Sequence, residues 1–452
     1  MSDKDFDYCL LAFYATYIAF EWMILLYRIV PPRVYISACV LGWGLVASLQ
    51  SAVPSFRYLL GLRALLGVCE ASFGPGVPFY MTFFYNRSEL AYRIGLQISA
   101  APLATSFAST LAWVIVKLSA KTSLEPWRAL FLFEGFPSII AAVFAWYVIP
   151  NSPETARYLT PRERKVAQLR LREERRHEAH DHELVPSAKN KSPLNRLMSS
   201  VTVRVLRSPL PWLQSLIFFS INVSFASLPV FLPTIINSMG VSALTSQILS
   251  APPYLLSFVF VLLTGHLSDK IVDSRHTFLI GCSSLSAVSY FIIAVSGFQH
   301  SNEDIPGGSS HIVRYVAVCT AAMGLFSSVV LIITWNLNNQ PSRKEKGLAM
   351  MIMNVVGQCG PLVGVQLFPR SDGPFYTRGM VICGLFMTAV ACLAVLLRWQ
   401  LGRMNSQLAS LGSTAKSYEM VSLRDAQMDD ADHDGIDLVV SETTDRGFRY
   451  ML

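Results

Sequence analysis

The chain has 452 residues, of which 52% are hydrophobic and 15% charged, with a formal net charge of +7. Soluble domains carry closer to about a quarter charged residues, so this composition excludes an ordinary soluble protein. The positive charge lies in breaks between apolar runs and forms no basic patch interleaved with aromatics, which excludes a nucleic-acid partner. The eight cysteines (9, 39, 69, 282, 319, 359, 383, 392) lie in or beside apolar runs without a CxxC pair. They read as small apolar residues, and neither a disulfide frame, a metal nor a cofactor is expected.

In chain order, the acidic opening MSDKDFD has no cleavable signal character and leads straight into a span-length run. Apolar spans follow at 8–27, 34–53, 58–83, 91–117 and 127–149, closing a first bundle over 1–149. Runs of about 20 apolar residues predict membrane helices, and β-barrel alternation is absent. A polar linker, 150–209, carries LTPRERKVAQLRLREERR, a basic amphipathic helix outside the bilayer. Its RRHEAHDHE stretch (175–183) reads as a charged surface segment and not as a metal site. Six further spans, at 210–236, 247–267, 277–297, 313–336, 348–368 and 377–401, form a second bundle over 210–401. The first of these contains Pro229 and Pro233, a break that suits a moving outer gate. The tail, 402–452, turns acidic (DDADHDGID) and is expected to be disordered.

Lys and Arg concentrate in the breaks at 28–33, 84–93, 150–209, 269–276 and 342–346, while 237–246 and 298–312 have none. The positive-inside rule therefore places the linker and the tail in the cytoplasm and the first residues outside. No GxSxG, HExxH or Walker-type P-loop is present, so an enzyme or an ATP-driven pump is not expected.

GHLSDKIVDSR (265–275) closely resembles the loop after the second helix of each half in the major facilitator superfamily, with Gly265, Asp269, Lys270 and Arg275 in place. The comparable first-half turn, YRIVPPRV (27–34), follows the first visible span. That offset implies 5+6 visible helices of a 6+6 fold, with the family's first helix missing. Within the superfamily the chain resembles the fungal anion:cation symporters, the allantoate and nicotinate permease group. The resemblance rests on DYCLLAFYATYIAFE (7–21), RALLGVCEASFGPGVPFYMTFFYNRSELAYRIG (63–95), PWRALFLFEGFPSII (126–140) and IPNSPETARYLTPRERKVAQLR (149–170). In the second half it rests on FLPTIINSMG (231–240) and WNLNNQPSRKEKGLAMMIMNVVGQCGP (335–361). Trp22 departs from the family, which has a small apolar residue and then proline after Glu21.

Arg63 and Glu70 stand seven residues apart, on one helix face and about 10 Å apart along the axis, too far for a private ion pair. Charges at membrane depth are functional by default. Arg63 offers a planar fork for a carboxylate, and Glu70, in a partly dry cavity, could take and release a proton. The resemblance implies the same roles; a static inter-helix network would use the same charges. Glu21 and Glu134 are further expected buried carboxylates, with proton-coupling, gating or structural roles. Asn222, Asn336 and Asn354 could hold polar parts of a cargo or bond neighbouring helices. The resemblance gives Gly265, Asp269, Lys270 and Arg275 a gating role at the cytoplasmic helix ends.

The resemblance thus implies an all-α carrier importing a small organic anion with H+ by alternating access, a monomer in the plasma membrane or, alternatively, the vacuolar membrane. The rival readings are a non-transporting truncated product, or a nutrient-sensing receptor on the same fold.

Overall fold

The computed structural model describes residues 3–119, 125–171, 200–225, 232, 236, 246, 248–302, 308–369, 372–373, 375–429 and 450–451. The 175–183 cluster, Pro229 and Pro233 lie outside them. Among the described residues there is no β-strand. Among the described residues eight helices are long and apolar enough to cross a membrane, or nine counting a span bent by 45° at residue 109. The expectation of an all-α membrane protein holds, for the physical reason that a chain in lipid must satisfy its backbone polar groups within each segment.

The first bundle comprises α1 (Asp3–Phe20), extended by a 3-10 turn over Glu21–Arg28, then α2 (Pro32–Leu49), α3 (Phe56–Glu70), α4 (Phe73–Met81), α5 (Leu90–Ser119) and α6 (Pro126–Val148). The span expected at 58–83 is broken at Ala71–Ser72 into α3 and α4, ahead of Pro75 and Pro78. Pro78 lies inside α4, where it removes a helical hydrogen bond. The linker contributes α7 (161–171) within the expected amphipathic segment. Arg170 of α7 pairs with Glu89 of the loop before α5, and Leu171 is buried.

The second bundle comprises α8 (Ser200–Arg207), α9 (Pro209–Phe225), α10 (Ala251–Lys270), α11 (Arg275–Asn302), α12 (Gly308–Asn338), α13 (Arg343–Gly357), α14 (Gly360–Gln366) and α15 (Thr377–Asp429). The disorder expected from 402 is corrected up to Asp429, because α15 runs straight on. No proline interrupts 377–429, so nothing removes a backbone donor and stops the helix.

The bundles meet at the end that carries the basic loops. α5 and α10 pack along each other, with Gly95 against Val261. At the same end Gly347 of α13 packs against Phe79 and Leu25, and the Arg343 guanidinium lies 4.6 Å over the Phe83 ring. α1 and α6, by contrast, are sparsely covered: 17% of each span is buried, against 78% for α12. The cavity described below opens between those two thinly covered helices.

Candidate functional site

α3 starts after an extended Ser55 and presents Leu59, Arg63, Leu66 and Glu70 on one side, the spacing of a single helical face. All four line a cavity of about 1100 Å³. Its other walls are Asp5, Cys9, Leu10 and Phe13 of α1, residues 53–56, and Trp127, Arg128 and Phe131 of α6. Arg63 and Glu70 are both partly buried. Among the described residues neither has an ion-pair partner within 4.0 Å, so the separation read from the sequence is observed. The Arg63 guanidinium instead lies 5.3 Å from the Phe131 ring centroid, a contact that leaves its in-plane N–H donors available to an anion.

Asp5 and Arg128 also reach this cavity, and the sequence reading did not single them out as site residues. Arg128 bonds Glu125 at 3.4 Å and the carbonyls of Ser51 and Val53 at 3.3 and 3.5 Å, which commits its donors to the rim. Their signal was weak because both sit at span ends, where charges are ordinary. The chemistry available is a half-buried cation and carboxylate sharing an apolar, aromatic-walled space.

Glu134 is not part of it. Ala129, Gly135 and Ala142 form the buried stripe of α6, and a Cβ on Gly135 would come within 2.6 Å of the Ser48 backbone nitrogen. Glu134, about 100° round the helix from Gly135, is exposed, which corrects its expected burial. Glu21 is fully buried, in the 3-10 turn that ends the first span, and lies outside the cavity lining. Neither of its carboxylate oxygens has a hydrogen-bond partner among the described residues.

The three asparagines of the second bundle also lie away from this cavity. Asn222 Nδ2 donates to Gly357 O at 3.2 Å, joining α9 to the end of α13. Asn336 Nδ2 donates to Gln214 Oε1 at 2.9 Å, and Asn354 Nδ2 to Met350 O of its own helix at 2.8 Å. All three are buried, and these bonds correspond to the inter-helix reading of such residues for Asn222 and Asn336.

The GHLSDK loop forms a contact between the bundles. Gly265 lets α10 approach α5 so closely that a Cβ would lie 3.1 Å from Ala91 O. Asp269 accepts the N–H groups of Ala91 and Tyr92, at 3.1 and 2.8 Å, and so sits on the positive end of α5. Arg275 Nη2 donates to Asp269 Oδ1 at 2.7 Å and to Arg87 O at 3.0 Å, and Nη1 donates to Ser268 at 3.1 Å. Asn338 Nδ2 reaches the same Arg87 carbonyl at 3.1 Å from α12. Lys270 is exposed and outside this cluster.

Residues 8–365 match the Major Facilitator Superfamily. The chain is 28% identical over 405 residues to the MFS transporter prlL of a fungal species (strain NRRL 50135), covering 88% of this chain and 77% of that one. It is 24% identical over 393 residues to the high-affinity nicotinic acid transporter of Saccharomyces cerevisiae, covering 85% and 68%. Among solved structures, the proton:xylose symporter XylE aligns at TM-score 0.63 and 15% identity over 88% of this chain and 87% of that one. The transporter FucP in its outward conformation aligns at TM-score 0.57 and 14% identity over 88% and 91%. The match spans both bundles, and the fold and the fungal relatives agree: the chain belongs to the major facilitator superfamily, a family of membrane transporters and not of enzymes.

Proposed function

We propose that the chain imports a small organic anion together with H+ by alternating access. The observation that carries this reading is the shared cavity of Arg63 and Glu70, in which the two charges stay apart and the cation keeps donors free. Arg63 anchors the carboxylate of the cargo, and Glu70 takes up the proton. An inside-negative potential opposes entry of a lone anion by about 2.3 kcal/mol per charge per 100 mV, and one co-transported proton cancels that term. The nicotinic acid transporter among the relatives supports a carboxylate as the cargo class. Glu21, buried without a partner among the described residues, is a second proton acceptor, and Gly265, Asp269 and Arg275 act as the cytoplasmic gate, with Lys270 exposed beside them. The carrier works as a monomer in the plasma membrane. Asn222, Asn336 and Asn354 contact cargo only if the bundles bring them to the cavity during the cycle.

The test is uptake of labelled carboxylates (nicotinate, allantoate, biotin, pantothenate) in a fungal host at acid and neutral pH. Arg63→Ala is expected to abolish uptake, and Glu70→Gln to remove its dependence on external pH. Wild-type uptake by Arg63→Ala would overturn the anchoring role.

A further inference from the structure

The second bundle holds a built site for a peptide at its basic, cytoplasmic end, and the carboxyl-terminal segment of the chain occupies it. Asn405 of α15 uses both ends of its amide on one residue: Nδ2 donates to Tyr450 O and Oδ1 accepts the Tyr450 N–H, each at 2.9 Å. Met451 N–H donates to Asn339 Oδ1 at 2.8 Å, and Trp335 Nε1 donates to Met451 O at 2.9 Å. Tyr450 packs against the apolar core of the bundle, and Trp335 and Asn339 are fully buried. Four main-chain groups of two consecutive residues are therefore read by three side chains, from α15, the last turn of α12 and the residue that follows it. Buried indole and amide groups left without partners would be costly, which makes an occupant of this site a requirement of the closed arrangement.

The same turn of α12 also faces the other bundle. Asn338, between Trp335 and Asn339, donates to Arg87 O across the interface. Parting the bundles at this end pulls on the turn that carries two of the peptide contacts. A ligand shifts a conformational equilibrium only through contacts that differ between the states, and this turn supplies them.

We propose that the residues Trp335, Asn339 and Asn405 form a receptor for the chain's own carboxyl-terminal peptide, and that its occupancy latches the cytoplasmic end of the carrier closed. The latch reads the main chain of an extended peptide and one tyrosine side chain. It is distinct from the Arg63 cavity and independent of what the carrier transports.

The experiment uses the full chain in inside-out vesicles with a reporter cysteine, Val261→Cys, buried where α10 meets α5. The reporter is labelled by a membrane-impermeant thiol reagent, against the parent chain with its native cysteines. Ending the chain at Arg449, and separately Asn405→Ala in the full chain, are each expected to raise the labelling rate about three- to tenfold. A peptide of residues 445–452 restores slow labelling to the shortened chain but not to the shortened chain that also carries Asn405→Ala. Unchanged labelling in both variants, or equal restoration by a scrambled peptide, overturns the proposal.

Discussion

Asp269→Asn tests the inter-bundle contact most directly. The carboxylate accepts two backbone N–H groups of α5 and pairs with Arg275, whose side chain is 2% exposed while that of Asp269 is 11% exposed. Removing one member of a buried ion pair costs about 3–5 kcal/mol, because the other charge stays buried without compensation. The asparagine carbonyl still accepts one of the two N–H groups, which returns about 1 kcal/mol. The Arg275 pair lies inside the second bundle, and its loss weighs on either arrangement. What falls on the arrangement in which α5 and α10 touch is the charge-assisted N–H bonding across the interface, about 1.5–3 kcal/mol, a shift of roughly tenfold or more in its population. The measurement is the labelling rate of Val261→Cys from the side of the basic loops, with Tm of the purified protein as the companion. Glu134→Gln, at an exposed position on α6, is the control and should change neither readout. Unaltered labelling and Tm in Asp269→Asn would refute the idea that this carboxylate holds the bundles together.

Three further outcomes follow from the packing. Gly67→Ala places a Cβ 2.5 Å from Phe13 O and against Thr16 Oγ1, so α1 and α3 must part; a loss of about 1–3 kcal/mol and a lower Tm are expected. Glu134→Gln should leave Tm and uptake at the level of the unaltered chain, since the side chain is exposed on the uncovered side of α6. On α7, the Thr160 backbone N–H and then its hydroxyl hold the Glu163 carboxyl below the usual glutamate range. A depressed folded-state value means that the cap is present above the unfolded value of about 4.3 and is lost as pH falls through the lower, folded one. A carbon-13 NMR titration of Glu163 should show that low midpoint, and Thr160→Ala should return it toward the ordinary value.

Much of this architecture is legible because lipid imposes a coarse grammar: long apolar runs become helices, and basic breaks alternate between them. Arg63 and Glu70 are legible for the same reason, as two charges inside an apolar run conflict with their surroundings. What the pattern could not resolve is which side of a helix faces a neighbour. Glu134 lies one residue from Gly135, and only the packing of Gly135 on Ser48 decides that Glu134 points outward. The asparagines illustrate a second limit, since a polar side chain at membrane depth looks alike whether it meets cargo or a neighbouring carbonyl. Asp5 and Arg128 went unremarked because charge at the end of a span needs no explanation. The grip on Tyr450 and Met451 joins residues more than 40 positions apart, and no local pattern announces it.

Two of the contacts between the bundles at the end with the basic loops are built from different physics, and the difference begins in sequence. The second-half loop GHLSDKIVDSR carries Asp269, whereas the first-half turn YRIVPPRV carries no acid. The N-terminus of α5 is accordingly capped from the opposite bundle, by a carboxylate. The N-terminus of α13 is capped within its own bundle, where Ser342 accepts the Glu345 N–H at 3.3 Å, and it meets the first bundle through Gly347 and the Arg343–Phe83 stack. A cap from the same helix persists whichever way the bundles move. A cap supplied across the interface is lost when they part. Opening at this end therefore leaves α13 intact but strips α5 of its anion and takes the Arg87 carbonyl from Arg275, while the Asp269–Arg275 pair, inside one bundle, persists. The hydrogen bonds lost on opening are concentrated at Asp269 and the Arg87 carbonyl, so substitutions on the α5 side should shift the conformational balance more than equally sized changes on the α13 side.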